Sequence, residues 1–340
     1  MNMPAHSRDL GKILFITLSN LGDAVLTTPV LEALHREFPA AKFTVIAGPK
    51  CADLFESDPI VEKIIVYQKD YSLFDLSRFA RRLRRERFDA VVDLKHTLFP
   101  FVIGSRRLTK LVRGTNRNTH AVIDHLSKLN CVGPIDTAHA RFRIVVSERA
   151  WEFQRSVWNE HRVREGECVI GINPHAASSL KMWYPSNFID FMRAIGKERP
   201  VRFVIVGGRD AIDINTLVAE GYPDAINLTG RTTIPELASV VGVCNLLVTN
   251  DSGPLHFASA FGVPTVAIFG PSNSKRYGPF GNPHIILQKD LSCVPCEEAQ
   301  CPAGQRTCID LITVDEVLAA ARKLLPPCAA GGGEEPINLA

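Results

Sequence analysis

Short runs of hydrophobic residues, rich in valine and isoleucine, alternate with stretches in which hydrophobic residues recur every three or four positions. The short runs have the length of buried β-strands, and the stretches between them have the period of helices with one buried face. Strands are predicted over residues 13–18, 43–46, 64–67, 90–94, 110–112, 169–172, 201–206, 225–228, 245–249 and 265–269. Helices are predicted over residues 24–38, 76–87, 185–197, 212–220, 234–241, 254–261 and 314–325.

The alternation of strand and helix predicts parallel sheets with helices on both faces. A chain of 340 residues is too long for one ordinary core. The strands fall into two blocks, separated by a polar segment near residues 147–167. We therefore predict two doubly wound α/β domains, residues 1–155 and 156–328, and a disordered Gly- and Glu-rich tail, residues 329–340.

Composition and the absence of several motifs exclude some classes of protein. The hydrophobic content of 46% is that of a globular protein. Residues 1–12 are polar, the apolar run after them is too short for a secretory signal, and no run reaches the ~18 apolar residues of a membrane span, which predicts a cytoplasmic protein. The sequence lacks a Walker A motif, a G-x-G-x-x-G motif after the first strand and an Asp-x-Asp motif, which argues against an NTPase, a dinucleotide enzyme and a metal-bridged diphosphate site.

Positive charge is concentrated in the first half of the chain. Residues 1–165 contain 26 Lys and Arg against 19 Asp and Glu, a net charge of +7, whereas the remainder carries −4. Six arginines fall on or near the predicted helix 76–87: Arg78, Arg81, Arg82, Arg84, Arg85 and Arg87. The pattern fits either a solvated helix face or contact with anionic lipid or acceptor phosphates.

The first candidate site follows the first predicted strand and consists of Ser19, Asn20, Leu21, Gly22 and Asp23. A polar turn with a glycine exposes backbone N–H groups, which suit an anion or a sugar hydroxyl. Asp23 lies in the first turn of the next helix, where the helix dipole favours the ionised carboxylate that a general base requires. A carboxylate that only caps the helix would occupy the same position.

The second candidate site, residues 173–185, follows the first strand of the second domain. It contains Ser178, Ser179 and Lys181, and hydroxyl groups with one cation can hold a diphosphate without a metal. An ordinary surface loop with a solvated lysine has the same composition.

The third candidate site, residues 250–256, also lies between a strand and a helix. Asp251 and Ser252 can cap that helix, and its N-terminal N–H groups can bind a phosphate. His256 falls on the first turn, where a histidine is either catalytic or structural. All three candidate sites follow strands, and a doubly wound fold binds its ligand at the carboxyl ends of its strands.

Four of the nine cysteines fall within sixteen residues: Cys293, Cys296, Cys301 and Cys308. The surrounding loop is rich in proline and has little apolar content, so it cannot fold by hydrophobic burial alone. Four thiolates could hold a structural zinc ion or an iron–sulfur cluster. Free thiols and two disulfides are the alternatives, and a reducing cytoplasm disfavours the disulfides.

Several motifs together resemble glycosyltransferase family nine, the ADP-heptose:lipopolysaccharide heptosyltransferases. The matching segments are residues 13–23 with Thr-Thr-Pro after them, residues 88–94, the loop from His175 to Trp183, and residues 249–256 followed by Phe-Gly-Pro-Ser at 269–272. The loop before Lys181 departs from the family, which often has Thr-Thr and acidic residues where this chain has Ala-Ala-Ser-Ser-Leu.

The resemblance implies a GT-B architecture, in which two facing Rossmann-like domains enclose a cleft. It implies an inverting, metal-independent transfer of heptose from ADP-heptose to the anionic lipopolysaccharide core, with no catalytic cofactor and no nucleic-acid partner. Asp23 matches the catalytic base, and Lys181 matches the cation that steadies the leaving diphosphate. The donor-binding positions are Ser178, Ser179, Asp251, Ser252, Gly253, Pro254, Leu255 and His256, and the acceptor-side positions are Ser19, Asn20 and Gly22.

Two other functional classes are compatible with the sequence. One is a GT-B enzyme that uses a different nucleotide-sugar. The other is a non-catalytic protein that binds a sugar or nucleotide, against which the presence of both Asp23 and Lys181 argues. If the arginine-rich helix is not simply a solvated face, its alternative interpretation adds a peripheral contact with the inner membrane.

Overall fold

The computed structural model describes residues 10–68, 73–97, 99–105, 107–109, 118–133, 135–298, 300–301, 304 and 307–325. They form two parallel β-sheets, one in each half of the chain, connected by helices. The predicted class of two doubly wound α/β domains is therefore confirmed. The predicted strand 110–112 and the predicted tail 329–340 lie outside the described residues.

The sheet of the first half is built from strands that run parallel to one another. They are β1 (Lys12–Ile16), β2 (Lys42–Ala47), β3 (Val61–Val66), β4 (Ala90–Asp93) and β5 (Arg107–Leu108). The helices of this half are α1 (Leu21–Glu37), α2 (Leu73–Arg85), α3 (Phe99–Ile103) and α4 (Ala121–Ser127). The strand order is β3-β2-β1-β4-β5, so the winding direction reverses between β1 and β4, where doubly wound folds open a crevice.

The sheet of the second half follows the same principle. Its strands are β6 (Val169–Asn173), β7 (Arg202–Ile205), β8 (Ile226–Asn227), β9 (Leu246–Asn250), β10 (Thr265–Ile268) and β11 (His284–Leu287). The helices are α5 (Glu148–Glu160), α6 (Pro185–Glu198), α7 (Ile212–Gly221), α8 (Ile234–Gly242), α9 (Gly253–Phe261), α10 (Ser274–Tyr277), α11 (Thr307–Asp310) and α12 (Val314–Leu324). The strand order is β11-β10-β9-β6-β7-β8, which places the reversal between β6 and β9.

The structure differs from the predicted elements mainly where segments are short. Helices α3, α4, α10 and α11 and strand β11 were not predicted, because four to seven residues show too little periodicity. Arg87 was predicted at the end of a helix, but α2 ends at Arg85 and Arg87 has a φ of 56° in the turn that leads into β4. The polar segment 147–167 contains helix α5, and the boundary predicted between residues 155 and 156 falls inside it.

The two halves share a continuous hydrophobic core. Helix α1 packs on α9, and α5 packs on α8. One cluster of buried side chains includes Phe15 and Val45 from the first sheet together with Val204 and Leu247 from the second. No helix in the described ranges is long and apolar enough to cross a membrane.

Helix α1 contains a proline, and neighbouring hydroxyl groups compensate for it. Pro29 has no N–H, so the carbonyl of Val25 lacks its usual helical donor. The Thr28 hydroxyl donates to that carbonyl at 2.9 Å. The Thr27 hydroxyl donates to Ala24 O at 2.7 Å and contacts the Thr17 hydroxyl at 2.7 Å, which ties α1 to the end of β1. These bonds give the Thr-Thr-Pro motif a structural role in holding the helix that begins at the first candidate site.

Candidate active site

The N-termini of α1 and α9 meet at the boundary between the two halves. A Cβ placed on Gly22 would lie 2.8 Å from Cδ2 of His256, and one on Gly253 would lie 3.8 Å from the backbone N of Gly22. The first and third predicted candidate sites are therefore in direct contact. Two helix N-termini at one place make this a favourable position for a negatively charged ligand.

Asp23 is the third residue of α1, and its carboxylate accepts a hydrogen bond from Asn20 Nδ2 at 3.0 Å. Burial raises the pKa of Asp23 above its ordinary value, and the carboxylate of Asp251 adds to that rise. The hydrogen bond from Asn20 and the positive charges of Lys181 and Arg276 lower the pKa of Asp23 in part. Asp23 is thus a half-buried carboxylate that interacts with charged groups of the second half of the chain.

Lys181 and Asp251 join the second candidate site to the third. Lys181 ends a short 3-10 turn, Ser179–Lys181, in which the Ser178 hydroxyl accepts from Leu180 N at 3.3 Å. Lys181 Nζ donates to Asp251 Oδ2 at 2.7 Å, and the side chain of Asp251 is only 8% exposed. The ion pair therefore fixes the lysine near Asp23.

The prediction that Asp251 and Ser252 cap α9 is wrong. Ser252 occupies the N-cap position, but its side chain makes no capping hydrogen bond. Its hydroxyl instead accepts from Asn173 Nδ2 at 2.5 Å, and Asp251 pairs with Lys181. Both side chains have partners on the loop after β6, which leaves the first turn of α9 without a side-chain cap in the described part of the chain.

Two asparagines that begin the second and third candidate sites, and to which the sequence analysis gave no role, position these loops. Asn250 accepts from Trp183 N at 3.1 Å and donates to Pro174 O at 2.5 Å. Asn173 donates to Thr249 Oγ1 at 2.8 Å in addition to Ser252. Each asparagine ends a fully buried strand, and a buried amide at that place must find partners. An asparagine at the end of a predicted buried strand was therefore the sequence feature from which this positioning role could have been predicted.

His256 is a contact residue between the two halves. It is 5% exposed, and burial lowers its pKa to about 4, so its ring is neutral at pH 7. The Nδ1 atom has no hydrogen-bond partner among the described residues. Because the other ring edge lies against Gly22, the structure favours the structural interpretation of this histidine.

The four clustered cysteines form no disulfide with one another. Cys293 is exposed and Cys308 is buried. Burial raises the pKa of the Cys308 thiol, and nearby Cys301 and Cys296 add to the rise. The described residues contain no group of three or more His, Cys, Asp or Glu arranged to hold a metal ion.

Comparisons with known proteins decide the family. Residues 76–306 match glycosyltransferase family 9 (heptosyltransferase). The chain belongs to glycosyltransferase family 9. It is 27% identical over 319 residues to lipooligosaccharide heptosyltransferase 2 of Campylobacter jejuni, covering 90% of this chain and 95% of that protein. The predicted family and the predicted glycosyltransferase class are confirmed.

Solved structures are similar over nearly the whole chain. A glycosyltransferase of family 9 from Veillonella parvula has 26% sequence identity and a TM-score of 0.81, covering 94% of this chain and 99% of that one. The ADP-heptose lps heptosyltransferase II of E. coli has 22% identity and a TM-score of 0.74, covering 92% and 98%. The predicted GT-B architecture is therefore confirmed.

The contact between Gly22 and His256 gives a direct test of the junction. Gly22→Ala places a methyl group 2.8 Å from a buried ring, so we expect a loss of about 1–3 kcal/mol in the free energy of unfolding and reduced activity. Gly11→Ala is the matched control, because its Cβ would make an ordinary contact of 3.5 Å with Asp89. Denaturant unfolding of both variants measures the effect. Equal stability of the two variants would contradict the close junction.

Proposed function

We propose that this chain transfers a heptose from an ADP-heptose donor to a lipopolysaccharide core acceptor, with inversion and without a catalytic metal. The observation that carries the proposal is the placement of Asp23 beside the Lys181–Asp251 pair, where two helix N-termini meet. The names of the similar proteins support the sugar, the nucleotide and the acceptor class.

Asp23 is suited to the role of general base. In a single displacement, an acceptor hydroxyl attacks the anomeric carbon from the face opposite the diphosphate, which inverts that carbon. The hydroxyl proton passes to the Asp23 carboxylate as the new bond forms. A raised pKa makes the ionised carboxylate a stronger base, and Asn20 holds it in one orientation.

The leaving group requires positive charge on the opposite side of the sugar. Lys181 and the N-terminus of α9 supply it as the bond between the anomeric carbon and the diphosphate breaks. Asp251 offsets part of the charge of Lys181, so its contribution is to hold the ammonium group in place. The sequence also lacks the Asp-x-Asp motif of metal-bridged diphosphate sites.

The base assignment predicts a specific kinetic defect. Asp23→Asn should reduce kcat by roughly 10²–10⁴ and leave donor affinity nearly unchanged, because the amide cannot accept the proton. In the enzyme with Asp23 intact, kcat/KM should fall as the pH drops through the raised pKa of Asp23. In Asp23→Asn this fall of kcat/KM at low pH should be absent. Asp190→Asn, on the exposed surface of α6, is the control. Near-normal turnover of Asp23→Asn would refute the assignment.

The metal-free mechanism predicts that transfer survives EDTA. Lys181→Met should weaken nucleotide-sugar binding and lower kcat, because the developing diphosphate charge loses its cation. Lys197→Met, on the far end of α6, controls for the loss of a surface charge. Donor titration and steady-state rates, with and without EDTA, measure both effects. Loss of transfer in EDTA and its return with Mg²⁺ would show that a metal takes part.

The cysteine cluster remains a proposed structural metal site. Four cysteines are the ligand set of a structural zinc ion or an iron–sulfur cluster. Because no three such residues in the described part of the chain are arranged to hold a metal, binding would have to draw the thiols together. A bound metal would fix the loop between β11 and α11. Elemental analysis of protein purified without chelator should find about one equivalent of zinc, or iron with sulfide, and the variant Cys296→Ser should lose it. Less than a tenth of an equivalent, with four titratable thiols, would exclude the site.

We also propose that α2 contacts an anionic membrane. Phe79 and Leu83 bury one face of the helix, and Phe74 is 66% exposed at its start. A groove of about 740 Å³ is lined in part by Arg78, Arg81, Arg82 and Arg85. Such a basic face with an exposed aromatic side chain fits an anionic lipid surface.

The test of this membrane contact removes four positive charges from α2 and compares the result with the removal of four positive charges elsewhere on the surface. Changing Arg78, Arg81, Arg82 and Arg85 to Gln should reduce binding to vesicles that contain phosphatidylglycerol, most visibly at low salt. The control changes the exposed Arg149, Arg155, Arg162 and Arg164 to Gln. Equal vesicle binding by the two variants would leave α2 as a solvated face.

A further inference from the structure

A buried ammonium group lies near the crevice between β1 and β4. Lys128 directly follows α4 and is 6% exposed. Its Nζ lies 3.0 Å from Nε2 of His96, and it forms no ion pair within the described ranges. Burial lowers the pKa of Lys128, which shows that its charged form is costly where it lies.

The acidic groups around Lys128 are already engaged elsewhere. Asp124 accepts from Arg276 Nη2 at 3.0 Å. Asp93 accepts from the backbone N of Thr97 at 2.6 Å and from its hydroxyl at 2.7 Å. His125 is also adjacent, and burial lowers its pKa to about 3, so it is neutral. Asp124 and Asp93 favour the charged form of Lys128 at longer range, but neither forms an ion pair with it among the described residues.

A buried cation that has no ion-pair partner among the described residues requires an explanation. An isolated buried charge is expensive, and a hydrophobic side chain of similar length would be as stable or more so. Methionine at this place would avoid the cost of the buried charge and would lose the contact with His96 and the favourable position of a cation at the C-terminus of α4. An anion that arrives from outside would complete the ion pair.

The backbone at His96 provides an independent observation. His96 has a φ of 58°, a left-handed conformation that is costly for a residue with a side chain and that recurs at functional sites. Its Nδ1 is buried without a partner among the described residues, while Nε2 meets Lys128. The strained backbone thus serves to hold the imidazole against the ammonium group.

The position of the pair indicates which substrate it meets. His96 follows β4, and Asp23 follows β1, so the two residues lie on opposite sides of the crevice of the first sheet. Both Lys128 and Asp23 are within electrostatic reach of Arg276. Lys181 and Asp251, on the donor side, belong to the second half of the chain. The acceptor, whose hydroxyl gives its proton to Asp23, would therefore bind in the crevice of the first sheet.

We propose that Lys128, held by His96, binds an anionic group, a phosphate or a carboxylate, of the acceptor. This role rests on the proposed function, because it assumes that the acceptor occupies the first-half side of the cleft. Lys128 is a binding residue and takes no part in the bond-forming step.

The first experiment tests anion binding without any acceptor. The background is Lys181→Met with Asp251→Asn, which removes the donor-side cation and its partner together. Inorganic phosphate, titrated at constant ionic strength, should raise the Tm of this double variant. The control adds Lys42→Met, which removes an exposed lysine at the opposite end of the sheet, and phosphate should raise its Tm equally. Adding Lys128→Met should abolish the rise. An unchanged rise, or no rise in the background protein, would overturn the proposal.

The second experiment separates binding from folding and from catalysis. Without ligand, Lys128→Met should keep or raise the Tm, and a fall of more than about 4 °C would show a structural role and overturn the proposal. In transfer assays it should raise the acceptor KM at least tenfold and change the donor KM less than about twofold. An unchanged acceptor KM would overturn the acceptor assignment. If the unchanged enzyme transfers no sugar, the proposed function fails, and the phosphate titration still decides the role of Lys128.

Discussion

The close approach of the N-termini of α1 and α9 is the constraint on which the site depends. Gly22 lies against the buried ring of His256, with no space for a side chain between them. This contact brings a carboxylate from one sheet to the charged groups of the other, so that Asp23 responds to Asp251, Lys181 and Arg276. A glycine at this place is therefore required by the fit between the two halves and not by its own backbone, which belongs to helix α1.

The charges in the cleft are arranged in pairs that orient one another. Asp251 holds Lys181, and Asp124 holds Arg276 across the boundary between the halves. Each pair lowers the net charge that a substrate meets, but each fixes a cation in place before the substrate arrives. Preorganised charge of this kind costs no reorientation during the reaction. Lys128 differs from both because its partner is an imidazole, whose pKa is lowered by burial and by the charge of Lys128.

The sequence was sufficient to predict most of the long elements, the two-domain class and the three loops that meet, but it did not predict the thirteen-residue helix α5. The hydrophobic period specifies buried strands, and a strand that ends in polar residues marks a site in such a fold. The sequence was insufficient for contacts across the chain. Ser252 has the composition of a cap, yet it bonds to Asn173, which is 79 positions away. Local propensity cannot reveal that competition, nor the buried state of Lys128, since both depend on tertiary packing.

The shared core has a consequence for how this protein loses its structure. By topology the chain has two domains, but Phe15 and Leu247 belong to one buried cluster. Neither half can expose its part of this cluster without uncovering part of the other half, so unfolding of one half destabilises the other. The two halves are therefore expected to unfold together, and a substitution that creates a cavity beneath β2 would lower the population of intact enzyme although it lies far from Asp23.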